Sequence, residues 1–236
     1  MISPIFTTVV IVFLSIMIYM KVTTNRFNTG DADRIEKERE ANSIRKKSLD
    51  ELEYIKIPFE ALPFTVNMGA VSESGDASAP SESSNASGDG EPRVVDEVLT
   101  RDEEEILKLK DKKIVNFTGI SNTDLKLTYG APNLPLLTEY DQNYTALVKG
   151  LDAWGAHLAD RKRLADARRV LEFAVECRTD LKSTYSMLAD IYAENFEFDK
   201  LDHLAEVAGE LKSLMRGPIV RLLKEKSDIN RYINTK

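Results

Sequence analysis

The chain has 236 residues, 42% apolar and 30% charged, with 32 Lys and Arg against 39 Asp and Glu for a formal charge of −7. The apolar share excludes a chain disordered throughout, and a single Cys excludes a disulfide scaffold. The acidic balance argues against a nucleic-acid partner. Residues 65–105 carry eleven acids against two basic residues, so most of the negative charge has one address.

Ile2 to Met20 is a run of nineteen uncharged residues, close to the ~20 that span a bilayer core. From Ile5 onward only Thr7, Thr8 and Ser15 interrupt it. No basic n-region precedes the run and no small-x-small cleavage site follows it. Residues 2–20 therefore read as an uncleaved transmembrane signal-anchor in contact with the lipid bilayer. Lys21, Arg26, Arg34, Lys37 and Arg39 come next. By the positive-inside rule the expectation is a single-pass cell-membrane protein, N-terminus outside and C-terminal domain cytoplasmic. An unpaired Cys177 suits that reducing compartment. Asn85-Ala-Ser87, Asn116-Phe-Thr118 and Asn143-Tyr-Thr145 match the glycosylation acceptor pattern, which matters only if the topology is reversed.

Residues 21–64 form the next stretch. Asp31 to Tyr54 lacks Gly and Pro and predicts a juxtamembrane helix. Ile35, Ile44, Leu49 and Leu52 give it a thin apolar stripe, without the sustained heptads of a coiled coil. Ile55 to Phe64 is apolar and holds Pro58 and Pro63, which forbid a helix through it. It is expected either to dock in a groove, including one on the chain's own folded part, or to form an irregular turn. Residues 65–92 read as a disordered linker. Within them, Gly69 to Pro92 has seven Ser and five acids but no Lys, Arg or aromatic residue.

Over residues 93–135, Thr100-Arg-Asp-Glu103 has capping-box spacing and predicts a short helix through Ile106, Leu107 and Leu109. Lys113–Phe117 and Leu125–Tyr129 are β-prone and predict a small β-hairpin. Ala131–Pro135, with two prolines, reads as a connector. Residues 136–236 are strongly helical, so the expected fold class is mainly α.

Within that region the sequence matches itself at a shift of 34 residues. Leu151 falls on Tyr185, Trp154 on Leu188, Gly155 on Ala189 and Leu158 on Tyr192. Further on, Leu164 falls on Phe198, Ala167 on Leu201, Leu171 on Ala205 and Ala174 on Ala208. Each unit is a helix pattern, a polar break (residues 160–163 and 194–197), then a second helix pattern. Small residues let helices approach and the large ones fill the space between. Gly217-Pro218 breaks the chain before a last helix from Ile219 to about Ile233. Ile219, Leu222, Leu223 and Ile229 give it an apolar face, and Arg221, Lys224 and Lys226 are expected outward, as on a solvating cap.

Over about Lys149–Ser213 this pattern resembles the tetratricopeptide repeat, in two units. Thr179 and Ser213 stand where that family often has Pro, and Leu201 and Ala205 reverse its small-then-large order. The resemblance implies a helical-hairpin array with a concave binding surface lined by the first helix of each pair. The lining positions are Asp152, Ala156, Ala159, Asp160, Ser186, Asp190, Ala193 and Glu194. One variant of the family grips a peptide carboxylate with Lys and Asn there. Small and acidic residues in this chain point instead to a basic or apolar segment of a protein or peptide partner. The competing reading is that these acids are a solvated face.

Catalytic patterns are missing from the sequence. His157 and His203 lie 46 residues apart with no metal-ligand spacing, and there is no phosphate loop or nucleophile elbow. Beside Arg178 the Cys177 thiol has a route to a lowered pKa, although inert packing is the ordinary case. The basic run Arg161–Arg163 with Arg168 and Arg169 is interleaved with acids and reads as an ion-paired surface. No cofactor is expected. The expected function is a membrane-tethered, non-catalytic adaptor or scaffold. A self-associating structural membrane protein and an enzyme accessory subunit are the alternatives.

Overall fold

The computed structural model describes the backbone of residues 4–65 and 97–234, and side chains over 11–21, 32–65, 98 and 100–229. The chain is mainly α, with no strand among the described residues. Apart from Thr65, the expected linker over 65–92 lies outside them. The fold divides into two compact units, each built from two stretches of chain: Met1–Glu51 with Ile120–Leu137, and Leu52–Gly119 with Thr138–Lys236.

In the first unit, α1 runs from Pro4 to Ser43 and α3 from Asn122 to Tyr129. Glu38 on α1 accepts bonds from Lys126 and from the Thr123 hydroxyl of α3, the latter at 2.6 Å. Lys37 reaches Asp124 at 2.7 Å. The expected helix over 31–54 stops at Ser43, because the chain beyond makes other backbone bonds. The Ile44 carbonyl accepts from Ala131 N–H, and Lys47 N–H donates to the Tyr129 carbonyl. Gly130 joins the two segments at φ +90°, where an added Cβ would lie 2.1 Å from the Arg45 carbonyl oxygen. Only glycine fits there.

The expected β-hairpin does not form. Leu125–Tyr129 lies in α3, whose N-cap Ser121 accepts the Asp124 N–H at 3.2 Å while its hydroxyl donates to the Asp124 carboxylate. Ser121-Asn-Thr-Asp124 is thus a capping pattern, and it outweighs the β-propensity of the residues that follow. Residues 131–135 are not a loose connector either. Ala131–Asn133 forms one 3-10 turn and α4 (Leu134–Asp160) follows directly. Pro135 sits in its first turn, where no amide donor is needed.

Ile11–Met20 of α1 is exposed along its whole length, each large apolar side chain there at half exposure or more. Among the described residues no helix is long and apolar enough to cross a membrane. The expected span is left without that support; the side chains of residues 2–10 lie outside those described.

The second unit is a helical array with a strap along one edge. Its helices are α2 (Glu97–Leu107), α4 from Thr138 on, α5 (Leu164–Glu176), α6 (Lys182–Glu194), α7 (Phe198–Gly209) and α8 (Arg216–Asn234). Helix α2 begins at Glu97, so Thr100 lies inside it and is not its N-cap. Buried Glu103 accepts the backbone N–H and hydroxyl of Thr65 at 2.7 and 2.8 Å.

Leu151, Trp154, Leu158, Ala167, Leu171, Ala174, Tyr185, Ala189 and Ala208 are fully buried, and Leu188 and Tyr192 nearly so. Gly155 brings α4 against α5, since a Cβ there would sit 2.6 Å from Leu171. The turns repeat as the side chains do. Lys162 and Phe196, 34 apart, hold φ of 61° and 59°. Arg163 N–H reaches the Leu158 carbonyl and Glu197 N–H that of Tyr192, the six-to-one bond that closes a helix end. Helices α5 and α7 then start at equivalent residues, Leu164 and Phe198.

Residues 52–65 pack on this array. Leu62 joins its core, Ile55, Ile57 and Phe59 lie against it, and the Phe64 ring is 4.8 Å from Trp154. The edge strap, residues 114–119, reaches two successive turns. Asn116 donates to the Tyr144 hydroxyl and to the Cys177 carbonyl, at 2.9 and 3.2 Å. Farther on, Gly119, at φ +83°, abuts the Lys212 backbone.

Candidate partner-binding site

The proposed lining residues on α4 and α6 are only partly available. Asp152 accepts hydroxyl bonds from Ser183 at 2.8 and 2.9 Å and from Thr184 at 2.6 Å, which ties α4 to the start of α6. Asp190 pairs with Lys226 of α8, and Lys226 also reaches the Ser186 carbonyl. Lys226 therefore turns inward, against the outward orientation expected for it. Its partner is an acid that the sequence offers to an outside ligand. Ala156 and Ser186 are half-buried, while Asp160 and Glu194 are exposed. So the two central acids of this face already serve the chain itself.

A different concavity lies between α5 and α7, with α6 behind it. It encloses about 530 Å³. Its floor is apolar: Val175, Leu188, Leu204, Val207 and Leu211. Glu172 and Glu176 line the α5 side, and Lys200 and His203 the α7 side. Each side carries both signs, since Arg178 follows the two acids at the end of α5 and Glu210 follows Lys200 and His203 at the end of α7.

Each end of the cleft is tied by ion pairs. At one end Arg168 bonds Glu172 at 2.8 Å and pairs with Glu197 at 2.9 Å, its guanidinium lying 5.2 Å from the Tyr192 ring centroid. Tyr192 donates to Glu172 at 2.8 Å, and burial, with that carboxylate beside it, raises its pKa. Burial pushes the Glu197 carboxyl up, but bonds from Lys200 and Arg168 hold it below the ordinary value. At the other end Arg178 and Glu210 stand 3.9 Å apart, both exposed.

The arrangement offers contact area and selectivity. Apolar groups of a partner would lose water on the floor, and the charged groups around the rim would select the polar groups that flank them. Cys177 is not part of it. Burial, with a smaller contribution from Glu176, pushes its thiol up to about 12, opposite to the lowered value that Arg178 suggested. His157 contacts Asp102 of α2 at 2.6 Å, and exposed His203 lies 3.4 Å from Glu206. No group of three or more metal-ligating side chains occurs among the described residues.

Sequence reasoning missed this cleft, because only the burial of its residues reveals it. Val207 is half-buried, while Phe173, its counterpart at a shift of 34, is buried. No family model matches the chain, and neither a curated protein nor a solved structure matches it.

Proposed function

We propose that this chain is a non-catalytic binding module, a tetratricopeptide-like helical-hairpin array that holds a protein or peptide segment. The observation that carries the reading is the apolar-floored cleft between α5 and α7, set in an array whose turns repeat at 34 residues. Small repeat hairpins bury a core between neighbours and present grooves between like helices. Because Asp152 and Asp190 are engaged internally, the reading places the partner in the α5–α7 cleft in preference to the α4–α6 face.

Tethering belongs to the same proposal. The exposed apolar surface of Ile11–Met20 supports insertion of α1 into a bilayer, with Lys21 and the basic residues after it on the cytoplasmic side. A reporter fused after Lys236 that fluoresces only in the cytosol would light; a dark fusion would reverse the orientation.

The binding claim is tested with Val207→Arg in the full-length chain, which puts a charge on the half-buried floor. Capture of the partner from membranes should fall about tenfold or more, the equivalent of about 1.4 kcal/mol, while the melting temperature stays near that of the wild type. Equal capture by the folded variant would refute the cleft as the binding site.

A further inference from the structure

The outer face of α8 carries a second surface. A notch of about 490 Å³ opens between the end of α7 and the start of α8, lined by Gly209, Gly217, Val220 and charged α8 residues. A Cβ added at Gly209 or Gly217 would meet nothing within 4 Å, so the glycines are not needed for packing within the chain. Nearby, Leu214 is 98% exposed and Ile229 58%.

Arg216 opens the charged lining of the notch, and Lys226 is drawn away to Asp190. Arg221 and Lys224 precede Glu225 and Asp228, all four are exposed, and all four line the notch. No ion pair joins any of them to another described residue. On a helix Gly217, Arg221, Lys224 and Asp228 share one stripe at spacings of three and four. Turned end for end about a point between Lys224 and Glu225, the pattern becomes its own complement. Arg221 then faces Asp228 of the second helix, and Lys224 faces Glu225.

We propose that α8 is a self-association surface whose occupant is α8 of a second copy, packed antiparallel about a two-fold axis. Such an interface is isologous, so one patch supplies both halves. A parallel pairing would set like charges side by side, which selects the antiparallel one. Gly217 lies at the start of the stripe and Gly209, at the end of α7, beside it, where missing side chains admit the neighbouring helix closely. One helix per copy makes a small interface of the transient class. Charge matching therefore sets its strength and direction, and salt weakens it.

The test uses full-length chains carrying two different tags, co-expressed and captured through one tag. One variant is Arg221→Glu with Lys224→Glu, and the other is Glu225→Lys with Asp228→Lys. Wild-type copies should capture one another, and each variant paired with itself should capture about tenfold less. Mixing the two variants should restore capture, because each then supplies the charges the other lacks. Absent wild-type capture, capture indifferent to reversal, or no recovery in the mixture would overturn the proposal. Should a variant fail to fold, a zero-length carbodiimide link between Lys224 and Glu225 of isotopically light and heavy wild-type copies decides, and its absence counts against the pairing.

Discussion

Three non-glycine residues, Lys162, Arg178 and Phe196, hold φ of 61°, 59° and 59° at helix ends. Side chains at such an angle meet the backbone, and glycine does not. Lys162 is exposed, so Lys162→Gly should raise stability by about 0.5–1 kcal/mol in urea unfolding, after the extra freedom of glycine in the unfolded chain is allowed for. Gly155→Ala should do the reverse. Alanine gains up to ~1 kcal/mol in a helix interior, but its Cβ would press on Leu171, which is fully buried and cannot move aside. A net loss of about 1–2 kcal/mol is expected. Cys177, with its pKa pushed up to about 12 by burial, should resist thiol reagents at pH 8 until the chain unfolds. Labelling of the folded protein would contradict its burial. At this scale the alternation of small and large residues made core positions such as Gly155 and Leu171 legible. The bonds of Asp152 and Asp190 were not, because a carboxylate carries no mark of whether its partner is water, a solute or its own chain.

Helix α3 shows how a local signal was misread. Leu125–Tyr129 has β-prone residues, but the Ser121 cap and the contacts of Lys126 and Thr123 with Glu38 decide its form. Those contacts depend on pH. The bond from Lys126 lowers the pKa of Glu38, and that from Lys37 lowers the pKa of Asp124. Both folded values lie below the unfolded ones, so the stabilisation is complete above about pH 5 and is lost as pH falls through the lowered values. Spin labels on α1 and α3 should show a fixed separation at neutral pH that broadens only in stronger acid; a separation unchanged in acid would mean these pairs do not hold α3. For residues 52–65, the two prolines excluded a helix, and the aromatic residues hinted at burial without saying against what. Trp154, the chain's single Trp, packs against Phe64 and reports on that docking. Phe64→Ala should shift its emission to the red and cost about 1–3 kcal/mol, less than a fully buried Phe because Phe64 is half-buried. An unchanged spectrum would mean the segment does not cover the indole.

For the whole molecule, the helical class and the 34-residue period were legible because periodicity of apolar residues is a local property. The division into two units, each built from discontinuous stretches, was hidden. It depends on pairings such as Lys47 with Tyr129 and Ile55 with Ile114, which no local pattern encodes. The cleft between α5 and α7 was hidden for a related reason: an open surface is defined by what fails to cover it. The central claim is that this cleft holds a partner. A photo-crosslinking amino acid placed at Val207 of the full-length chain tests it most directly, with the same group at Ala156 on the α4–α6 face as comparison. A discrete adduct is expected from Val207 and none from Ala156. Adducts from Ala156 alone, or from neither position, would contradict it.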